Sequence, residues 1–212
     1  MNPNIKKVLI LAPHPDDGEF GCGATLNKFI QNGATVRYVA FSPCEASVPH
    51  GLPKDILYKE LNKATSKLGI KPENVTTFDF PVRYLSDHRQ AILEELVKMN
   101  REFKPDLVIA PNSKDIHQDH NTIHKEALRA FKMTRVLGYE LPWNDVAFEN
   151  RFYVKLDRSN ISRKIEAINQ YESQSFRAYK EDEFFYSLGK MRGVQVGSEY
   201  AEAFEVIRWI LD

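Results

Sequence analysis

The segment of residues 8–25 constrains the fold and function more than any other part of the sequence. It reads V-L-I-L-A-P-H-P-D-D-G-E-F-G-C-G-A-T. Its apolar run is typical of a strand buried on both faces, and His14, Asp16 and Asp17 follow the strand almost at once. Burying these groups at a strand end is unfavourable unless their charge is compensated. A divalent metal compensates carboxylates by making them ligands, so the segment predicts one half of a metal site.

Strand-like and helical runs alternate along the chain, which predicts βαβ units and a mainly parallel sheet. Strands are predicted over Lys7–Ala12, Val36–Phe41, Val75–Phe80, Asp106–Ala110, Arg135–Glu140, Phe152–Lys155 and Ala203–Ile210. Helices are predicted over Glu19–Gln31, Pro53–Leu68, Ser86 or Asp87 to Phe103, the segment before Lys132, a Ser159-capped run to Gln174, and Glu181–Gly189. We therefore expect a Rossmann-like, three-layer α/β/α fold, with residues 1–212 forming a single domain.

The charge balance argues against a nucleic-acid or anionic-membrane partner, because 29 Lys and Arg residues match 29 Asp and Glu residues. Cys22 and Cys44 form neither a disulfide framework nor a cysteine-pair metal motif. The amino-terminal residues do not have the pattern of a signal peptide. No apolar run approaches the roughly 18 residues of a membrane span. These features predict a cytoplasmic protein.

A second polar cluster follows a later predicted strand. His117, Asp119 and His120 lie in the loop after Asp106–Ala110. In an open parallel sheet, ligands bind beyond the carboxyl ends of the strands. We therefore expect this cluster to meet His14 and its neighbours at one edge of the sheet.

The residue types in the two clusters favour a hydrolytic metal site. Imidazole and carboxylate ligands suit Zn(II) and leave a coordination position for water, although they suit Fe(II) as well. Water at such a site can reach a pKa of about 7, and a carboxylate that is not a ligand can accept its proton. Asp16 and Asp17 are adjacent and point to different sides, so one can bind the metal while the other faces the water.

These motifs also carry a family resemblance. The segment A-P-H-P-D-D-G-E-F-G-C-G-A-T-L, together with H-Q-D-H, closely resembles the LmbE-like or PIG-L family of zinc-dependent de-N-acetylases. The similarity extends through R-E-F-K-P-D-L-V-I-A-P, K-I-E-A-I-N-Q-Y-E-S-Q and R-G-V-Q-V-G-S-E-Y-A-E-A-F, and so covers nearly the whole chain.

The resemblance implies a role for each matching residue. The implied zinc ligands are His14, Asp17 and His120. Asp16 would be the general base. His117 would stabilise the oxyanion or protonate the leaving amine, and Asp119 would orient His117. Arg83 corresponds in position to the family's substrate-contacting arginine, but it also fits a solvated helix start.

The implied reaction removes an N-acetyl group from an N-acetylglucosamine-type amino sugar and releases acetate and a free amine. Members of this family often assemble, so the resemblance leaves a homo-oligomer open. A zinc amidohydrolase acting on another small amide is the first alternative. A Rossmann-type nucleotide-binding module is the second.

Other residues in and around the motifs have ordinary interpretations. Gly18, Gly21 and Gly23 are in the order G-x-x-G-x-G, and the carboxylate pair before them disfavours a pyrophosphate. We expect these glycines to allow close helix–strand packing. His124 is interpreted as an ordinary helix residue, and Cys22 as a small buried residue. The aromatic residues predicted to lie in the core or an interface are Trp143, Tyr171, Tyr179 and Trp209.

Overall fold

The computed structural model describes residues 5–211, except for the side chain of Ala178, and this part contains seven strands and six α-helices. The strands are β1 (Lys7–Ala12), β2 (Thr35–Ala40), β3 (Val75–Thr77), β4 (Leu107–Pro111), β5 (Arg135–Tyr139), β6 (Phe152–Leu156) and β7 (Tyr200–Arg208). The helices are α1 (Asp17–Gln31), α2 (Ile56–Leu68), α3 (Arg89–Phe103), α4 (Gln118–Ala130), α5 (Arg158–Ile168) and α6 (Asp182–Val194).

All seven strands form one sheet in the order β3-β2-β1-β4-β5-β7-β6. Strands β1 to β5 pair in parallel, and β7 is antiparallel to both of its neighbours. The prediction of a mainly parallel sheet is confirmed. Because β1 lies between β2 and β4, the loops after β1 and β4 are neighbours at one edge of the sheet.

Helices cover both faces of this sheet, which makes three layers. Helices α1, α2, α5 and α6 pack on one face, and α3 and α4 pack on the other. The strand β1 serves both cores, since Val8 and Ile10 face the first group of helices while Leu9 and Leu11 face the second. All four side chains are fully buried, which explains the continuous apolar run in the sequence.

Several predicted boundaries were wrong. Strand β3 ends at Thr77 instead of Phe80, although Phe78 and Phe80 still donate backbone hydrogen bonds to the residues at the end of β2 and just after it. Helix α5 ends at Ile168, six residues before the predicted end, and the following Tyr171 is fully buried. Strand β7 begins three residues before Ala203.

The cap of α5 also differs from the prediction. The Asp157 carboxylate accepts a hydrogen bond from the Asn160 backbone N–H, and the Asn160 side chain accepts one from the Asp157 N–H. This reciprocal capping box makes Asp157 the N-cap, two residues before the predicted cap Ser159. The hydroxyl of Ser159 instead donates to the Asp157 carboxylate at 2.5 Å.

Helix α1 is interrupted by a non-helical conformation at Cys22, where φ is −151°. The Glu202 carboxylate of β7 accepts hydrogen bonds from the N–H groups of Ala24 and Thr25, at 3.3 and 2.7 Å. Lys164 of α5 completes this buried group with an ion pair to Glu202 at 2.7 Å. The side chains therefore satisfy the backbone donors near the interruption.

No helix within residues 5–211 has the length and apolar character needed to cross a bilayer. The prediction that residues 1–212 form one domain includes residues 1–4 and 212, which lie outside the described residues. That assignment stays a prediction.

Candidate metal centre and active site

The two polar clusters meet at the carboxyl ends of β1 and β4. These strands are hydrogen-bonded neighbours, with Val8 opposite Leu107 and Ile10 opposite Ile109. The loop after β1 carries His14 and leads into α1, whereas the loop after β4 leads into α4. The topology therefore brings together motifs that are far apart in the sequence, as predicted.

Three potential ligand atoms form a nearly equilateral triangle. The Asp17 Oδ2 atom lies 3.2 Å from both His14 Nδ1 and His120 Nε2. The two nitrogen atoms are 3.3 Å apart. Zinc bonds of about 2.0–2.2 Å in a tetrahedral site would place ligand atoms about 3.3–3.5 Å from one another. The spacing and the chemistry of these donors therefore fit one divalent ion.

Two further carboxylates hold the outer nitrogen of each histidine. Asp119 Oδ2 lies 2.8 Å from His14 Nε2, and Asp115 Oδ2 lies 2.6 Å from His120 Nδ1. Such contacts select the tautomer whose free nitrogen points to the centre. The Asp119 carboxylate contacts His14, whereas toward His117 Asp119 offers its backbone N–H, which donates to Nδ1 at 3.2 Å. The expectation that Asp119 orients His117 stays a prediction. Asp115 was missed, although its position two residues before His117 was a usable signal.

Asp119 is itself held by backbone donors. Its carboxylate accepts hydrogen bonds from the N–H groups of Arg83 at 2.6 Å and Leu85 at 3.2 Å. Arg83 reaches this position with a left-handed backbone conformation, at φ 72°. A non-glycine residue in this conformation is strained and is common at functional sites. Arg83 therefore contributes to the site through its backbone as well as its exposed side chain.

The carboxylates and histidines strongly affect one another's protonation. Burial disfavours a charged His120, but Asp17 and Asp115 override it and raise its pKa to about 10. Burial likewise opposes ionisation of Asp17, yet the adjacent His120 and His14 lower its pKa. In the absence of a metal, protons therefore supply the positive charge between these groups. A metal ion at the triangle would compete with those protons.

His117 has a different environment from the other two histidines. Its Nδ1 atom accepts a hydrogen bond from the Asp119 N–H at 3.2 Å, so Nε2 carries the proton of the neutral ring. Burial, followed by the charges of His120 and His14, lowers the pKa of His117 to about 4. The ring is therefore a neutral N–H donor near pH 7. Its ring nitrogen also lies within 4.8 Å of those of His14 and His120.

Asp16 lies beside the triangle but outside it. It precedes α1 with φ 87°, a left-handed backbone conformation that is strained for a non-glycine residue. Burial raises its pKa well above the usual value, and the charges of Asp17 and Glu19 add to this effect. A carboxylate whose pKa is raised is a stronger base than an ordinary one, which suits a proton acceptor beside the candidate site.

The first turn of α1 is supported by close packing and by a buried network. A Cβ on Gly18 would lie 2.6 Å from the Tyr38 ring, and one on Gly21 would lie 2.4 Å from the Tyr139 ring. The predicted packing role is confirmed at these two positions. The Glu19 carboxylate, fully buried, accepts hydrogen bonds from the Tyr38 hydroxyl at 2.5 Å and the Tyr171 hydroxyl at 2.9 Å.

The triangle opens into a cavity of about 280 Å³. Trp143 and Tyr179, which were predicted to lie in the core or an interface, line it and stack on each other with ring centroids 3.9 Å apart. Tyr171 is buried as predicted. Other side chains that line the cavity are Asp16, Cys44, Ser47, Arg83, His117, Asn144, Gln174 and Arg177.

Other candidates lie apart from the triangle. The His124 ring is held by its Nδ1 atom against the Pro111 carbonyl at 2.9 Å, in agreement with an ordinary structural role. Cys22 is fully buried, and its thiol donates to the Gly18 carbonyl at 3.4 Å. Burial raises the pKa of the Cys22 thiol, which disfavours a nucleophilic role.

Comparison with protein families identifies the type of site. The model of the PIG-L family, described as GlcNAc-PI de-N-acetylase, matches residues 9–131. The chain belongs to the PIG-L family. The matched segment includes both histidine motifs, so the sequence similarity covers the side chains that meet at the triangle.

Relatives of this PIG-L family member include proteins described as deacetylases. The chain is 23% identical over 172 residues to the uncharacterized deacetylase YaiS of Escherichia coli K12, covering 79% of this chain and 91% of the relative. It is 27% identical over 190 residues to a probable N-acetyl-alpha-D-glucosaminyl L-malate deacetylase 2 of Bacillus anthracis, covering 81% and 82%. A conserved protein from Thermus thermophilus, known from its crystal structure, shares 27% sequence identity with the chain. The two structures match with a TM-score of 0.81 over 97% of this chain and 96% of that protein.

Proposed function

We propose that this PIG-L family member is a metal-dependent N-deacetylase. It would hydrolyse the acetamide of an N-acetylglucosamine-type derivative and release acetate and a free amine. The triangle formed by His14, Asp17 and His120 is the observation that carries the proposal. Family membership and the relatives described as deacetylases support the same reaction class.

We assign His14, Asp17 and His120 as the metal ligands in preference to a set of three histidines. Their ligand atoms are separated by 3.2–3.3 Å, which suits a single tetrahedral ion. The set with His117 in place of Asp17 would be neutral and wider. Zn(II) is the proposed ion, and Fe(II) suits the same ligands. A divalent ion held here supplies Lewis-acid chemistry, which polarises a carbonyl and lowers the pKa of a water to about 7.

The residues around the ligands divide the remaining work. Asp16 takes a proton from the attacking water and passes it to the leaving nitrogen, so that the products are acetate and an amine. His117 donates its Nε2–H to the carbonyl oxygen as negative charge develops there. Its lowered pKa favours this neutral donor role over protonation of the leaving amine. Asp119 and Asp115 hold the rings of His14 and His120.

Acetate release tests this function directly. Zinc-loaded protein should release acetate from at least one of a panel of N-acetylated amino sugars. The Asp16→Asn variant should keep its metal but lose about 10²–10⁴ of the rate, as expected for a lost general base. Metal content is measured by atomic emission on the same samples.

Two results would contradict the proposal. Protein that binds no divalent metal would remove its basis and favour the nucleotide-binding alternative. Protein that binds stoichiometric metal but releases acetate from no amino sugar would favour hydrolysis of another small amide.

A further inference from the structure

Two arginine side chains line the cavity without an ion-pair partner in the part of the chain that the structure describes. Arg83 donates from Nη2 to the Ser47 hydroxyl at 3.2 Å. Arg177 donates from Nε to the Gln174 side-chain oxygen at 2.8 Å. Both side chains line the same cavity as the metal triangle.

Some cations elsewhere in the described part of the chain pair with carboxylates, whereas others, such as Lys180 and Arg208, donate to backbone carbonyls. Arg192, at the end of α6, pairs with Glu140, and the buried Lys164 pairs with Glu202. Arg89 and Arg129, both half-exposed, share the buried carboxylate of Glu126 at 2.6 and 2.7 Å. In the cavity, the two guanidinium groups form no ion pair among the described residues. Arg83 bonds to a hydroxyl, and Arg177 bonds to an amide oxygen and to the Tyr179 side chain, so both groups can still pair with a carboxylate or a phosphate.

The carboxylates in the cavity do not fill that role. Asp17 is engaged by His14 and His120. Asp16 stands at the proposed position of the attacking water. It forms no ion pair with either arginine among the described residues, although the positive charge of Arg177 is near enough to act on it. The inner end of the cavity is therefore acidic, while its wall carries the two guanidinium groups.

We propose that Arg177, together with Arg83, binds an acidic group of the substrate away from its N-acetyl group. The substrate would then be an anionic amino-sugar derivative that carries a carboxylate or a phosphate. A planar guanidinium matches either group with two parallel N–H donors. The claim that the bound acidic group belongs to an amino-sugar substrate rests on the proposed function. The binding of the anion itself does not depend on turnover.

Arg177 is held ready for such a ligand. Its guanidinium carbon lies 5.6 Å from the centre of the Tyr179 ring, which in turn stacks on Trp143. The hydrogen bond to Gln174 restrains the same side chain. Restraint before binding lowers the entropy lost on forming the complex. The cavity volume is near the lower end of the range for ligand pockets, about 300–1,000 Å³, which suits one sugar ring with a compact acidic group.

Matched substrates test the inference. The neutral methyl N-acetylglucosaminide is the reference substrate. N-acetylglucosaminyl L-malate adds a carboxylate group, and N-acetylglucosamine 1-phosphate and 6-phosphate each add a phosphate group. The wild-type protein should show a kcat/KM at least about tenfold higher for one anionic substrate, because the guanidinium groups can form a charge-assisted hydrogen bond to it and not to the neutral sugar. This preference should decrease as salt concentration increases.

Variants of Arg177 separate charge from structure. Arg177→Gln should raise KM for the preferred anionic substrate about tenfold more than it raises KM for the neutral substrate. Arg177→Lys should keep part of the preference, because it keeps the charge but not the planar donor pair. Arg101→Gln is the control, since Arg101 is an exposed residue at the end of α3. Thermal melts of each variant establish that it folds.

Calorimetric titration with the same sugars separates this inference from the deacetylase proposal. Binding of an anionic sugar that Arg177→Gln weakens about tenfold would support the anion site even if no sugar released acetate. An equal effect of Arg177→Gln on neutral and anionic sugars would overturn it. A wild-type protein without any preference for the anionic sugars, in either turnover or binding, would overturn it as well.

Discussion

Two buried charged clusters of this protein differ in whether their own groups balance their charges and complete their hydrogen bonds. The Lys164–Glu202 pair lies between α1, α5 and β7, and the two N–H groups of Ala24 and Thr25 donate to the same carboxylate. In this cluster, the positive charge of one ammonium group balances the negative charge of one carboxylate. At the triangle of His14, Asp17 and His120, three carboxylates surround the two histidine rings, and three potential ligand atoms lie within 3.3 Å of one another.

The difference indicates what each cluster does. A buried group that is neutral and fully hydrogen-bonded needs nothing more, and its effect is on stability. A buried group with excess negative charge and converging acceptor atoms needs a cation, either protons or a metal. Comparable burial therefore gives a structural element in one case and a binding site in the other. Changes in the first cluster should affect folding, and changes in the second should affect metal binding.

The largest effect is expected for His120→Ala. Loss of a proposed ligand should lower metal affinity by more than about 100-fold, since changes in the outer partners alone cost 10–100-fold. Atomic emission after dialysis, together with acetate release, measures both consequences. His124→Gln is the matched control, because His124 is buried on the same helix but contacts the Pro111 carbonyl. Wild-type metal content in His120→Ala would contradict the ligand assignment.

Breaking the balanced cluster should instead destabilise the fold. Lys164→Met leaves the buried Glu202 without its cation and should lower the free energy of unfolding by about 3–5 kcal/mol. Metal content should stay at the wild-type level. The double variant Lys164→Met/Glu202→Gln should be less destabilised than Lys164→Met, because it buries no unpaired charge. Urea denaturation measures both values, and loss of metal from the folded single variant would refute the separation of the two clusters.

A smaller effect is expected for Asp119→Asn, which keeps the size of the side chain but removes its charge. The amide no longer pairs with His14 as a carboxylate does, so metal affinity or kcat should fall about 10–100-fold. The control is Asp55→Asn, because Asp55 forms an exposed ion pair with Lys59 and such pairs contribute little. An effect of Asp119→Asn on stability alone would argue that it is not a positioning residue for His14.

The sequence predicts the fold and the inner part of the site well, because their signals are local. The apolar run of β1 is followed at once by the polar residues of its loop, and the loop after β4 repeats this arrangement. Adjacent parallel strands then bring His14 and His120 together. The partner of Asp119 could not be predicted in this way, because the distinction between His14 and His117 depends on how two loops are rotated toward each other.

The outer wall of the cavity could not be predicted either. Trp143, Arg177 and Tyr179 come from irregular segments after β5 and α5, and no periodic pattern marks their direction. Their placement depends on tertiary contacts, such as the stacking of the two aromatic rings. The wall after β5 and α5 therefore holds the residues that we propose to select the substrate, whereas the N-terminal motifs hold the proposed metal ligands and general base.

The smallest effect is expected for Asp157, an exposed carboxylate outside both buried clusters. Asp157 caps α5, and hydrogen bonds from Ser159 and the Asn160 backbone lower its pKa from 3.8. A lowered pKa means that the folded protein favours the ionised form. Its stabilising contribution is therefore complete above the usual aspartate range and is lost as the pH falls through the lowered value.

Asp157→Ala should cost about 1 kcal/mol near neutral pH, and this difference should shrink in acid. Urea denaturation at both pH values measures it, with Ser159→Ala as the control. Because Asp157 and not Ser159 is the cap, Ser159→Ala should cost less, and the reverse order would restore the cap predicted from the sequence.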